Sequence, residues 1–318
     1  MKNLFVIIVV FLSAFSVVAQ KKQPYQTVKI ESSNQLQTIV DKAVNETLSK
    51  FESIGLKREE LAVTVIDVST LKSGNYRGEE KIYPASVVKM FYLVALHQQL
   101  EKGKVKITPE IERAMRDMIV DSSNEATQFI LDVITDTSSG SELSPEKLEK
   151  WAKKRNAVNR YFASLDYQNI NVCQKTFCED AYGREQQFRG KDGINRNKLT
   201  TNSTARLLTE IVLGKAVTPE RTKQMLELMK RDWESPAKDV DDQAHGFTAI
   251  ALKELNLQGT KLFSKAGWTS KTRHDVAYIE TPNGQKLVLC VFTENHAGEK
   301  NIIPSVEENI LKELGKMK

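Results

Sequence analysis

Along the first third of the chain the apolar positions change period twice. Leu36, Ile39, Val40, Ala43, Val44, Leu48, Phe51 and Ile54 recur about every 3.6 residues, with Ser32 or Ser33 ahead of them and Gly55 behind. This spacing predicts an amphipathic helix with a serine cap and a glycine stop. Leu61 to Val68 is a continuous, β-branched apolar run, which predicts a buried strand. Ser73-Gly74 reads as a turn into a second strand at about Asn75 to Ile82. Pro84 then bars helix upstream, and Val88, Phe91, Tyr92, Val94, Ala95 and Leu100 predict a mostly buried helix from about Ala85 or Ser86 to Gly103.

The middle of the chain keeps the helical period. Thr108-Pro109-Glu110 opens a helix over 109–119, and further helices are expected over 124–135, 145–164, 201–213 and 219–230, with Ser144, Thr200 or Thr201, and Thr218 as caps. Two polar stretches interrupt them, 136–144 and the longer 174–199. Strand character returns at 261–268, 275–281 and 286–293, the last two joined by a Pro282-Asn283-Gly284 turn, before a helix over 304–314. Strands at both ends and helices between them predict an α/β (α+β) fold. In it an antiparallel sheet of N- and C-terminal strands is flanked by helices and carries an inserted all-helical subdomain. The α/β part is expected at about 36–83 and 255–318, and the helical part at about 84–254.

The N-terminus reads as a signal peptide. Lys2 gives a basic start, Leu4 to Ala19 an apolar core and Val17-Val18-Ala19 a small-residue end. The expectation is cleavage after Ala19, a polar lead-in over 20–35, a catalytic domain over 36–318, a periplasmic or secreted location and no stable membrane anchor. The net charge of +5 is spread without a basic block, which argues against a nucleic-acid partner. Cys173 and Cys178, five apart in one loop, are candidates to pair, while Cys290 lies in an apolar strand. His97, His245, His274 and His296 are scattered, so neither a metal site nor a cofactor is expected.

Chemistry concentrates at Ser86. Ser86 and Lys89 stand at i and i+3 at the start of the predicted helix, on one face and within reach of each other. A serine hydroxyl is a poor nucleophile at neutral pH, and an amine kept neutral by burial and neighbouring charge can take its proton. The N–H groups at the helix start favour an oxyanion beside it.

Two further stretches follow in order. Ser122-Ser123-Asn124 sits at a helix-to-helix junction, and Lys265-Ala266-Gly267 lies on a C-terminal strand. Together with Ser86-Val87-Val88-Lys89 they resemble the S-x-x-K, S-D-N and K-[ST]-G motifs of the penicillin-recognising serine hydrolases, and most of all the class A β-lactamases. The likeness spans roughly residues 36 to 316. It implies an acylated Ser86, Lys89 as proton acceptor or electrostatic activator, and Ser122 as relay to the leaving nitrogen. It further implies Asn124 and Lys265 as substrate-binding groups and the backbone N–H groups of Ser86 and Trp268, flanking Gly267, as the oxyanion hole. Ser123 stands where the family has aspartate. Ala266 replaces a hydroxyl residue, for which Thr269, Ser270 or Arg273 are candidate substitutes. No E-x-x-L-N string occurs, and by position Glu185, with Glu179 second, is the candidate for the deacylation base. The implied activity is hydrolysis of β-lactams by a monomer. The alternatives are a D,D-peptidase, transpeptidase or esterase-like penicillin-binding enzyme acting on peptidoglycan-like substrates, or a non-catalytic binding protein.

Overall fold

Leu61, Val63 and Val65 point to one side of their strand and Ala62 and Ile66 to the other, and both sides are buried. This is why the run reads as continuously apolar rather than alternating. The computed structural model describes residues 25–316, so the signal segment and the start of the lead-in lie outside the described residues. Its strands are β1 (Glu31–Ser32), β2 (Leu61–Asp67), β3 (Lys72–Tyr76), β4 (Lys230–Arg231), β5 (Lys261–Trp268), β6 (Thr272–Glu280) and β7 (Lys286–Glu294). They form one sheet in the order β1-β3-β2-β7-β6-β5-β4. Every pair is antiparallel except β1 with β3. The sheet therefore joins strands from both ends of the chain, as expected.

Helix α1 (Asn34–Lys50) precedes β2. Between β3 and β5 come α2 (Val88–Glu101), α3 (Pro109–Ile119), α4 (Asn124–Thr135), α5 (Pro145–Arg155), α6 (Ala157–Ala163), α7 (Arg184–Arg189), α8 (Thr201–Val212), α9 (Pro219–Met229) and α10 (Thr248–Glu254), and α11 (Ile302–Gly315) closes the chain. Leu289 and Val291 of β7 join α1, α10 and α11 in one core. Val288, Cys290 and Phe292 join α2, α4, α8 and α9 in the other. The two-residue period of a strand thus sorts alternate side chains of β7 into separate cores. No helix among the described residues is long and apolar enough to cross a membrane.

The structure corrects several sequence expectations. Ser73-Gly74 is not a turn but the middle of β3, and the turn comes earlier, at Leu71 with φ 54°. Glycine is needed there because a Cβ on Gly74 would sit 2.5 Å from the Leu36 carbonyl carbon of α1. The single helix expected over 145–164 breaks at Asn156, which ends α5 and precedes α6. Its Nδ2 donates to the Ala152 carbonyl at 3.0 Å, a side-chain alternative to the helical ladder. The 174–199 stretch contains α7, and β1, β4 and α10 were not anticipated because they are short. The polar lead-in is docked where it is described. Val28 N donates to Glu210 Oε1 at 2.9 Å, and the Tyr25 hydroxyl also bonds that carboxylate, so this segment docks on α8.

Beneath β5 and β6 lies a buried carboxyl pair. The Thr248 hydroxyl is 2.8 Å from Asp275 Oδ2 and 2.7 Å from Glu307 Oε1. A hydroxyl has one proton to give, so one of the two carboxyls must itself carry a proton at these distances. Burial raises both, Glu307 well above the ordinary carboxyl range. The folded state thus holds a proton that the unfolded chain releases at about pH 4. That contribution is complete below the unfolded value and lost as pH rises through the raised folded one. Urea unfolding should show stability declining above about pH 5, with a limiting slope of about 1.4 kcal/mol per pH unit for one linked proton. In Glu307→Gln the slope should flatten.

Candidate active site

Ser86 sits in a single 3-10 turn, Ala85–Val87, that feeds directly into α2. Two contacts hold this turn. Ala85 has φ +45°, a left-handed conformation that costs a non-glycine residue about 1–3 kcal/mol and persists only where its surroundings enforce it. His274 of β6 is one enforcing group. Its Nδ1 accepts from Thr293 N at 3.1 Å, which leaves Nε2–H to donate to the Tyr83 carbonyl at 2.9 Å. Gly267 of β5 is another. A Cβ there would lie 2.7 Å from Ser86 N, 2.8 Å from Pro84 O and 2.9 Å from Val87 N, so only glycine lets the strand edge pass this close.

The ladder alternation then aims the next amide. Thr269 N bonds Thr272 O, whereas Ala266 N points away from β6 to Gln243 Oε1 at 3.2 Å. In an antiparallel pair alternate N–H groups face opposite sides. The Trp268 N–H therefore points off the same edge as that of Ala266, away from β6. Ser86 itself is half-buried beside this strand.

Lys89 is wholly buried. Its Nζ donates to Ser122 O at 2.5 Å, Asn124 Oδ1 at 2.8 Å and Ser122 Oγ at 3.3 Å, and not to Ser86 Oγ. Burial depresses its pKa to about 7, opposed by the nearby Glu125 carboxylate. Two of the three partners can only accept. When the amine is neutral its two N–H groups stay on them, and the lone pair is left for a hydroxyl. Ser122, with φ +56°, also receives Lys265 Nζ on its Oγ at 3.0 Å. Lys265 is fully buried, and burial, then Lys89 and Arg231, push its pKa well below the ordinary lysine value. One hydroxyl thus lies between two buried amines. Ser123 caps α4 through its Oγ, which accepts from Ala126 N at 3.1 Å, so a hydroxyl does the structural work at that position.

Two residues of this cluster went unnoticed in the sequence. Gln243 bonds Lys265 Nζ through Oε1 while its Nε2 donates to the carbonyls of Ile119 and Val120 at 3.0 and 2.9 Å, tying β5 to the segment before Ser122. Arg231 of β4 donates to the Ser264 carbonyl at 2.7 Å, and its burial lowers its pKa to about 10. Neither lies in a recognisable motif: Arg231 belongs to a strand of two residues, and Gln243 to the turns between β4 and α10. Thr269 faces solvent, but its Oγ accepts from Lys271 N and Thr272 N, which commits it to the β5–β6 turn. Arg273 is turned inward, bonded to Gly246 O at 2.6 Å and stacked on Phe247.

The 174–199 stretch reaches the site differently from the expectation. Asn124, Gln128 and Asp132 are one turn apart on a face of α4, and residues 175–178 run along it. Lys175 bonds Asp132 at 2.5 Å, the Thr176 carbonyl takes Gln128 Nε2 at 3.0 Å, and Asn124 Nδ2 lies 3.5 Å from Cys178 Sγ. The residue beside Asn124 is therefore a thiol. Glu185, instead, is 1% exposed with Arg155 on both oxygens at 2.8 and 3.0 Å, Ser139 Oγ at 3.0 Å and Lys175 at 3.5 Å. The structure does not bring it to Lys89, Ser122 or Asn124, because two cations compete for it elsewhere. Glu179 is exposed. Cys173, Cys178 and Cys290 are all free, the first and last buried. No group of residues able to hold a metal occurs among the described residues.

The model of the beta-lactamase enzyme family matches residues 40–316. No curated protein matches the chain. Among solved structures, a β-lactamase from Sphaerobacter thermophilus DSM 20745 is 19% identical with a TM-score of 0.64, covering 87% of this chain and 98% of that one. PBP-A is 17% identical with a TM-score of 0.63, over 92% and 100%. A β-lactamase from Chitinophaga pinensis DSM 2588 is 14% identical with a TM-score of 0.61, over 87% and 98%. At such identities the likeness is one of fold.

Two outcomes follow for these side chains. Ellman's reagent should titrate one thiol in the native protein, abolished by Cys178→Ser, and three after denaturation. Glu185→Gln should lower the unfolding free energy by about 3 kcal/mol, because breaking a buried ion cluster strands its cations; an unchanged urea midpoint would contradict the structural role.

Proposed function

The chain belongs to the beta-lactamase enzyme family, and from this we infer that it is a serine acyl-transfer hydrolase opening β-lactam rings through an ester at Ser86. The observation that carries this reading is the Lys89–Ser122–Lys265 arrangement, with Lys89 near neutrality at physiological pH. In acylation the Ser86 hydroxyl gives its proton to neutral Lys89 as its oxygen attacks the lactam carbonyl. The N–H groups of Ser86 and Trp268 take up the charge that develops on the carbonyl oxygen. The proton then passes from Lys89 through the Ser122 hydroxyl to the ring nitrogen as the C–N bond breaks. Lys265 favours negative character on Ser122 during that transfer, and Asn124 binds the amide of the substrate side chain. Gly267 keeps the strand edge close enough for the substrate to lie along it. No metal or cofactor has a part in this scheme, and residues 1–19 are read as an export signal that places a monomer where such substrates are met.

One observation favours a second reading in which the acyl-enzyme is long-lived, as in a penicillin-binding acyl transferase or D,D-peptidase acting on peptidoglycan-like substrates. Deacylation needs a base that positions water. Glu185 is committed to Arg155 and Lys175, and the position beside Asn124 holds Cys178. Glu125, whose Oε1 is 3.9 Å from the Cys178 thiol, is the carboxylate that bears on Lys89.

Mixing the purified protein with a chromogenic β-lactam, while following turnover and intact mass, separates these readings. Turnover abolished in Ser86→Ala supports a lactamase, and an adduct on Ser86 that outlasts the assay supports the slow enzyme. Absence of both overturns acylation by lactams. The acylation rate should rise with pH through about 7 as Lys89 loses its proton, and Lys89→Met should lower it by on the order of 10²- to 10⁴-fold and remove that pH dependence.

A further inference from the structure

One side chain crosses the space between β5 and the end of α3, where Lys265 faces Ser122. Gln243 lies in the 232–247 segment between β4 and α10 and is buried. Asp242 fixes the turn that carries it, its Oδ1 accepting from Ala244 N at 2.8 Å and His245 N at 2.9 Å. On one side Gln243 Oε1 accepts from Lys265 Nζ and from Ala266 N, the latter at 3.2 Å. On the other its Nε2 donates to the carbonyls of Ile119 and Val120 at 3.0 and 2.9 Å. A carboxamide offers two acceptor sites and two N–H groups, and here all four are used. The amide therefore stands in one orientation, and neither a carboxylate nor a shorter amide can serve both sides.

Lys265 Nζ meets three acceptors: Ser122 Oγ at 3.0 Å, the Ala266 carbonyl at 2.8 Å and Gln243 Oε1. They match the three N–H groups of an ammonium. The Ala266 carbonyl moves with the strand that carries Lys265, so it does not fix the lysine relative to Ser122. Gln243 does, because its other end grips the two carbonyls just before Asp121 and Ser122. Arg231 spans the same gap, with Nη2 on Ser264 O at 2.7 Å and on Ile119 O at 3.4 Å. It secures strand to helix but not the lysine head, so loss of the Gln243 amide releases Lys265 without parting β5 from α3.

We propose that Gln243 is a positioning residue that holds Lys265 on Ser122 and thereby governs protonation of the leaving nitrogen. This rests on the reading of acyl transfer at Ser86. When the lactam C–N bond breaks, its electron pair goes to nitrogen, which takes the Ser122 hydroxyl proton while Ser122 takes one from Lys89. Among the described residues Ser122 is the one hydroxyl that Lys265 bonds, so an error in its placement falls on this step. An activated ester such as p-nitrophenyl acetate needs no such proton, because p-nitrophenolate leaves as an anion. Attack by Ser86 and charge build-up on the carbonyl oxygen are common to both substrates.

Stopped-flow acylation of the wild type, Gln243→Met and Gln243→Asn by a chromogenic β-lactam and by p-nitrophenyl acetate tests this, with circular dichroism confirming that each variant is folded. The lactam is measured at saturation, which keeps weaker substrate binding out of the rate. Both variants should lower the lactam rate at least about tenfold and the ester rate less than about threefold, and Ser122→Ala should show the same split. A disturbance of packing alone lowers both rates alike. Equal losses on the two substrates, or no loss on the lactam, would overturn the role of Gln243. A crystal structure of Gln243→Met decides the geometry without any substrate: Lys265 Nζ beyond hydrogen-bond distance of Ser122 Oγ supports the proposal, and an unchanged contact overturns it. A wild type that the lactam does not acylate is a failure of the acyl-transfer reading, distinct from these outcomes.

Discussion

The burial of two lysine side chains against one serine hydroxyl is the constraint on which the rest of this site depends. Lys89 and Lys265 are both removed from water, and each would repel the other if both were charged. The charged form of either is costly there, since desolvation of an ammonium is not repaid by an ion pair of matching depth. Glu125 opposes the shift at Lys89 from the surface of α4, but burial dominates. The result is an amine that changes charge near neutral pH rather than near the pKa of about 10.4 of an exposed lysine. Backbone carbonyls and amide oxygens, which can only accept, fix where its remaining protons go.

Holding that arrangement demands backbone that an unconstrained chain would not adopt. Ala85 and Ser122 both have positive φ, and each flanks or carries a hydroxyl of the cluster. The surrounding structure opposes their relaxation from several sides. His274 pins Tyr83 to the sheet, Gly267 lets β5 lie against the turn, and Gln243 ties β5 to the end of α3. Each support comes from a different part of the chain, so the cluster forms only when sheet and helices have come together.

The helical part is organised by charge as well as by apolar packing. Arg155, Lys175, Asp132 and Glu185 form a buried cluster that anchors the 174–199 stretch to α4 and α5. From that anchor residues 175–178 follow α4 to the level of Asn124. The same anchor that orders the strap commits Glu185 to Arg155 and Lys175, and the residue it leaves beside Asn124 is Cys178. A single ion cluster thereby decides what stands on that side of the cleft.

Much was legible without coordinates. The 3.6-residue spacing of α1, the proline-initiated α3 and α9, and the β-branched run of β2 each carry a local physical signal, and all form where that signal puts them. Ser86 and Lys89 are one turn apart, so their proximity is a property of the helix alone. The order of the three motifs likewise belongs to the sequence. What needed the tertiary structure is whatever rests on contacts between distant segments. Gly74 reads locally as a turn, and only the approach of α1 makes it the middle of a strand. Glu185 and Cys178 cannot be ranked by spacing, because burial beside Arg155 and Lys175 decides between them. The charge state of Lys89 is set by water excluded from a site assembled from α2, α4 and β5, and exclusion of water is a property of the packed chain, not of any segment of it.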